Sequence, residues 1–128
     1  MVSKGRAMDP NPQIPQMTQD MRDCINECLN CYAVCTQTVD HCLSMGGKHA
    51  EPRHIRTMLD CAEICQTSAG FMLRMSEFHF ETCALCADIC LACADSCSKF
   101  DDAEMQKCAD VCRSCAAACQ KMQMSEVE

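Results

Sequence analysis

Between Cys83 and Cys97 the cysteines of this chain step by 3, 4, 3 and 4 residues, through Cys86, Cys90 and Cys93. A mean step of 3.5 is the period of the inward a and d positions of helices in a bundle, whereas a strand repeats every second residue. Only Ala, Leu, Asp, Ile and Ser stand between them. Nothing in the run opposes a helix. Five thiols therefore line one stripe of one helix, about one turn apart. An ordinary bundle puts Leu and Ile there. The pattern recurs as Cys24, Cys28, Cys31, Cys35 and Cys42, and as Cys108, Cys112, Cys115 and Cys119, with a thinner version in Cys61 and Cys65.

Extending each stripe predicts four helices. The first runs from Met17 or Thr18 to about Ser44, with Thr18 as N-cap and Asp20 in the first turn, and ends at Gly46-Gly47. Its stripe is Met17, Met21, Cys24, Cys28, Cys31, Cys35, Thr38, Cys42 and Met45, with Ile25, Leu29, Tyr32 and Val39 beside it. Pro52 opens the second helix, which runs to about Arg74 with His54, Met58, Cys61, Cys65, Ser68, Met72 and Met75 on its stripe. A turn at Ser76-Glu77 precedes the third, from about Phe78 to Ser98. Its Ala84, Leu85, Ala87, Ile89, Leu91, Ala92 and Ala94 spread around the circumference, so it is expected to be buried on more than one side. Asp101 with Glu104 reads as a capping box for the fourth helix, which carries Met105, Cys108, Cys112, Cys115, Cys119 and Met122 and runs to about Met122. Short connections make this an all-α, antiparallel up-down-up-down four-helix bundle over residues 17–123. Residues 1–16, with Pro10, Pro12 and Pro15, are expected to form an extended arm, and 124–128 a short acidic tail.

The 128 residues suit one domain, and 16 of them are Cys. In a short secreted chain that density means a disulfide scaffold. Here no apolar leader precedes the first helix, and cysteines three or four apart on one helix are badly placed to bridge each other. The expectation is a cytoplasmic protein with reduced thiols. No apolar run reaches membrane-spanning length, and a formal charge of −7 disfavours nucleic acid and anionic membrane as partners.

A single buried Cys is usually a small hydrophobe. Replacing Leu by Cys at nearly every inward position, however, forgoes roughly 1 kcal/mol of burial each time, which leaves a weak core unless the sulfurs have another use. Thiolates select Cu(I), Zn(II) and Fe–S clusters. Structural zinc prefers quartets of ligands built around Cys-x₂₋₄-Cys turns, and the regular stripe marks none. The Cys-Pro of the bacterial iron–sulfur run does not occur. Cu(I) tolerates low coordination and bridging thiolates, and one Cu(I) cancels the charge of one thiolate. It is the best fit, with all sixteen cysteines as ligands and His54, Met58 and Met105 as further soft ligands. The alternative is a zinc-stabilised or thiol-redox helical protein with a structural or regulatory role. The Cys-x-x-Cys pairs, such as Cys28-Cys31 and Cys112-Cys115, lack the βαβ context of a redox motif. No catalytic residue is expected.

An antiparallel bundle brings the start of helix 1, the end of helix 2, the start of helix 3 and the end of helix 4 to one mouth. That gathers Met17, Met21, Met72, Met75, His79, Met122 and Met124 as possible first ligands for incoming copper. The other mouth holds His54, Met58, Met105 and Met45.

The segments Leu59-Asp60-Cys61-Ala62-Glu63-Ile64-Cys65, Cys83-Ala84-Leu85-Cys86-Ala87-Asp88-Ile89-Cys90 and Cys108-Ala109-Asp110-Val111-Cys112, followed by Cys115 and Cys119, resemble the cysteine-rich four-helix-bundle copper-storage proteins of bacteria. The likeness spans about residues 20–120. No Arg-Arg pair precedes an apolar stretch, so the cytosolic branch is the closer likeness. The resemblance implies a homotetramer of bundles, each storing or detoxifying many Cu(I) ions, and a copper donor or acceptor as partner. Leu85, Leu91 and Phe100, read as outward apolar residues, are consistent with an oligomer. Two departures stand out. His54 and Met105 occupy positions where members often have Cys, and Lys99-Phe100-Asp101-Asp102 replaces a His-rich connection found in some of them.

Overall fold

A computed structural model describes residues 17–127, and side chains as far as residue 124. The arm expected over 1–16 lies outside the described residues. Four helices follow in order: α1 (Gln19–Met45), α2 (Pro52–Leu73), α3 (His79–Cys97) and α4 (Ala103–Val127), with a short 3-10 turn, Gly47–Ala50, between the first two.

The helix ends show how local chemistry sets these boundaries. Thr18 caps α1 as expected, its hydroxyl accepting the Met21 N–H at 3.1 Å. Gly46 stops the helix at φ 72° and ψ −167°, a region that essentially only glycine occupies. A Cβ at Gly46 would meet nothing within 4 Å, so the conformation alone forbids other residues. Gly46→Ala is expected to cost about 1–2 kcal/mol, read as a lower urea midpoint with an unchanged slope.

The end of α2 is less ordinary. The Ser76 N–H bonds the Phe71 carbonyl at 2.9 Å and the Met75 N–H bonds Met72 at 3.0 Å, which is the double bond pattern of a Schellman cap. Its left-handed position is usually glycine. Here it is Met75, at φ 54°, so Met75 terminates the helix rather than continuing its stripe. Ser76 then starts the next turn, its hydroxyl accepting the Phe78 N–H at 3.0 Å.

The start of α4 departs from the expected capping box. Asp102, not Asp101, immediately precedes the first helical residue, and its carbonyl accepts the Met105 and Gln106 N–H groups, both at 3.1 Å. Its carboxylate is turned away, to His41 and His49. The helix also runs on to Val127, past the expected stop at Met122.

Each helix packs on its two neighbours in the cyclic order α1–α2–α3–α4–α1, and among the described residues the diagonal pairs meet only through side chains on the axis, as in Cys28–Cys86 and Cys65–Cys115. Contacts such as Cys24–Cys119 with Cys35–Cys108, and Cys61–Cys90 with Cys65–Cys86, run in opposite directions along their helices, so neighbours are antiparallel.

All sixteen cysteines are fully buried. Met, Ala, Ile25 and Val34 complete the apolar core. The chain has six leucines, Leu29, Leu43, Leu59, Leu73, Leu85 and Leu91, and all six are 41–57% exposed. Sulfur has displaced leucine from the interior to the surface. The exposed Leu85 and Leu91 also correct the expectation that α3 is buried on more than one side within a single chain. Phe100, expected to face outward, is instead half-buried, with its ring 4.1 Å from that of His49 and 5.1 Å from that of His54.

Candidate metal centre

Because each stripe faces the bundle axis, thiols from all four helices meet there at van der Waals distance. From one end, Cys24 Sγ lies 3.6 Å from Cys119, which lies 3.9 Å from Cys28. Cys28 is 3.7 Å from Cys115, and Cys115 is 3.8 Å from Cys65. Cys65 reaches Cys90 at 3.6 Å, Cys90 reaches Cys61 at 3.7 Å, and Cys61 reaches Cys31 at 3.9 Å. Cys31, Cys35 and Cys112 then lie within 3.6–3.9 Å of one another, and Cys35 meets Cys108 at 3.8 Å.

These sulfurs form quartets that share corners. Cys28, Cys86, Cys115 and Cys119 make one, Cys31, Cys65, Cys90 and Cys115 a second, Cys31, Cys35, Cys61 and Cys112 a third, and Cys35, Cys93, Cys108 and Cys112 a fourth. Cys24, Cys83 and Cys119 make a triplet at the end. A tetrahedral four-sulfur site with bonds of about 2.3 Å has edges of about 3.8 Å, and a trigonal three-sulfur site about 4.0 Å. The observed spacings fit either, so distance alone does not choose the metal. Shared corners do bear on it. The quartet that shares Cys115 and Cys31 with its neighbours cannot close around a private zinc while both neighbours do the same.

Charge bears on it too. Among the described residues the polar side chains buried with the apolar core are Thr38, His54 and Ser68, and none is Lys or Arg. A zinc held by four thiolates carries a net −2, and burying such a charge without a counter-ion is prohibitive. One Cu(I) per thiolate is neutral.

The thiols of the metal-free core share protons unequally. Hydrogen bonds from neighbouring thiols pull Cys31, Cys61 and Cys108 below the ordinary thiol pKa, Cys112 contributing most. Cys24 and Cys115 are lowered chiefly by Cys119, and Cys86 by Cys115. The same bonds push Cys65, Cys112 and Cys119 up, so these keep their protons. Metal binding must displace protons and is therefore pH-dependent.

Beyond Cys108 the chain of thiols continues to the buried Cys97, which bonds Cys108 and Cys93, but it thins, because α1 carries Thr38 there in place of a thiol, its hydroxyl bonded to the Val34 carbonyl at 2.7 Å. Cys42 lies past Thr38. Its partners are His54 Nε2 at 3.4 Å, Met105 Sδ at 3.5 Å and Met58 Sδ at 3.8 Å. Burial pushes the Cys42 thiol up to about 11 and the His54 imidazole down. His54 Nδ1 lies 2.6 Å from Ser96 Oγ, the type of second contact that orients a ligating imidazole. A cleft of about 540 Å³, lined by Lys48, Glu51, Arg53, Ser96 and Phe100 among others, reaches His54 from outside.

At the other end Met72 Sδ lies 3.6 Å from Cys83 Sγ, and Ser68 Oγ 3.7 Å from the same sulfur. Met17, Met21 and Met122 are buried there, while Met75 and His79 are half-buried. His79 Nδ1 bonds the Ser76 carbonyl at 2.8 Å. Met45 and Met124 are exposed, at 54% and 71%. Sequence reasoning had no signal for Ser96, His41, His49 or Asp102, whose partners are far away along the chain and lie off the stripes.

The profile of the copper storage protein family, Csp, matches residues 17–124. The chain belongs to the copper storage protein family. Among solved structures, the Nmul_A1745 protein of Nitrosospira multiformis is 47% identical, covering 84% of this chain and 97% of that one, with a TM-score of 0.80. The Cu(I)-bound copper storage protein BsCsp3, of Bacillus subtilis, is 38% identical over 82% of this chain and 99% of that one, with a TM-score of 0.78. A cytosolic copper storage protein of Streptomyces lividans, described with five coppers, is 33% identical over 83% and 93%, with a TM-score of 0.73. The family's fold thus extends over the whole thiol-lined bundle of this chain.

Proposed function

We propose that this protein stores and detoxifies Cu(I) in the cytoplasm, holding many ions along the bundle axis and catalysing no reaction. The observation that carries this is a core of sixteen buried thiols with, among the described residues, no buried Lys or Arg to balance the charge they gain as thiolates. One monovalent soft ion per thiolate fills such a core without building up charge. Membership of the copper storage family and the Cu(I)-bound relative support the same reading. A protein purified anaerobically from copper-fed cells is expected to carry several coppers per chain and well under one zinc. Three or so zinc ions and no copper would support the zinc-stabilised alternative instead.

The ligand set is the sixteen cysteines with His54, Met58 and Met105. Cys42 joins these last three in a mixed terminal site. The six exposed leucines favour a homo-oligomer, and the family resemblance supports a tetramer. Copper arrives from a donor protein and leaves to an acceptor.

Thioethers need no deprotonation, so Met17, Met21, Met72, Met75 and Met122 can take up Cu(I) before any thiol has lost its proton, and Met72 sits ready to pass it to Cys83. Replacing these five by Leu is expected to slow Cu(I) loading in stopped flow and leave final capacity unchanged. Unchanged kinetics would leave these methionines as packing, their common use in irregular cores.

A further inference from the structure

Outside the thiol core, three groups from different elements converge. His41 lies on α1, His49 on the 3-10 turn and Asp102 just before α4. His41 Nε2 is 2.7 Å from one carboxylate oxygen of Asp102, and His49 Nε2 is 3.0 Å from the other. The two imidazole rings stand nearly perpendicular, at 84°, with centroids 5.8 Å apart. Phe100 packs against His49 on one side and His54 on the other, so its ring lies between this cluster and the Cys42 site. Burial pushes the Asp102 carboxyl up, but the bonds from His41 and His49 outweigh it and hold its pKa below the ordinary value.

We propose that His41, His49 and Asp102 form a site for one borderline divalent cation, of the class of Zn(II), Ni(II) or Cu(II), separate from the thiol core. Two imidazole nitrogens and a carboxylate oxygen are the donor set such ions prefer, and no thiolate is present to select Cu(I). Neighbouring ligands at about 2.05 Å from an ion lie about 2.9 Å apart at a right angle and about 3.3 Å apart at the tetrahedral angle. The two nitrogen–oxygen separations, 2.7 and 3.0 Å to the two oxygens of one carboxylate, lie near that range, so the three side chains are gathered closely enough to ligate one ion once they reorient from hydrogen bonding. The three side chains are 22%, 16% and 27% exposed, which leaves water free to complete the coordination shell. The charge balance is mild, since one carboxylate and a divalent ion leave +1 at a half-exposed position. Without an ion, the same atoms hydrogen-bond and latch the turn to α4. With one, the ion joins α1, the turn and α4 beside the mouth that holds Cys42.

The test is a Zn(II) soak of crystals of the full chain, both metal-free and loaded with Cu(I), with data collected on either side of the zinc absorption edge. An anomalous peak between His41, His49 and Asp102 in both forms is expected. No peak there at millimolar Zn(II) overturns the site. The metal-free crystals answer the question even if Cu(I) storage is wrong, because zinc at the thiols and zinc at the histidines lie in different places. Calorimetry on Cu(I)-loaded protein should then show one Zn(II) per chain, weakened about tenfold or more by His49→Ala and by Asp102→Asn. Copper capacity should be unaffected in both variants. Undiminished Zn(II) affinity in both variants would also overturn the proposal.

Discussion

Titrated with Cu(I) against a competing chelator, the reduced chain is expected to saturate at about one ion per thiol, near its sixteen cysteines. The bundle interior supports that ratio in two ways. Most thiols of the axis have other sulfurs at 3.6–4.0 Å, so each of these can bridge ions that need only two or three donors. Among the described residues no buried Lys or Arg is available to neutralise a core with fewer metals than thiolates. Zinc would behave differently. Of the four quartets and the end triplet named above, three can be filled without sharing a sulfur, those built on Cys24, on Cys90 and on Cys93. The two outcomes therefore differ about fivefold in metal content. Within the ladder, Cys90→Ser should remove only one or two ions. Cys90 stands in one of the four quartets, and its neighbours Cys61, Cys65 and Cys86 also contact other sulfurs. A collapse of all binding on that substitution would mean discrete sites rather than a continuous ladder.

Copper loading should also transform stability. The metal-free bundle has caps and good helix formers, so its far-UV circular dichroism should already be helical under reducing conditions. Its core is nevertheless poor, because all six leucines lie outside and small sulfur side chains lie inside. Each ion held at a free concentration about 100 times its dissociation constant adds about 2.7 kcal/mol. Ten such ions would exceed the whole stability of an ordinary domain, about 5–15 kcal/mol. The expected result is a midpoint of thermal unfolding raised by at least about 20 °C on loading, with little change in helix content. A random-coil spectrum for the metal-free chain would show instead that metal creates the fold, as in zinc fingers.

How much of this was legible beforehand follows from what a period can encode. The 3.5-residue spacing of Cys83, Cys86, Cys90, Cys93 and Cys97 determined that they share one face. The recurrence of that spacing determined that thiols line the axis of a bundle. Thr18 and Gly46 marked their helix ends, because caps depend on residues a few places apart. A period, however, names a face and not a partner. Which sulfurs share corners depends on the rotation and axial register of four helices, and the sequence carries no local signal for either.

The ends of the bundle make the same point. Cys42, His54, Met58 and Met105 were each readable as soft ligands, but only packing put the other three within 3.8 Å of Cys42. Asp101 and Glu104 satisfied the local rule for a capping box. The tertiary structure started the helix one residue later and gave the Asp102 carboxylate to His41 and His49. Those partners lie more than fifty residues away, and an ion pair at that distance in sequence leaves no periodic trace. The leucines, too, followed from packing. Once four stripes of sulfur had claimed the axis, there was no interior left for Leu29, Leu43, Leu59, Leu73, Leu85 and Leu91. By itself, then, the sequence determined the fold class, the thiol-lined axis and the soft-metal chemistry. The tertiary structure alone decided how sulfurs are shared, what surrounds Cys42 and which groups meet at the mouth, because those depend on contacts between faces rather than on the order of residues within one.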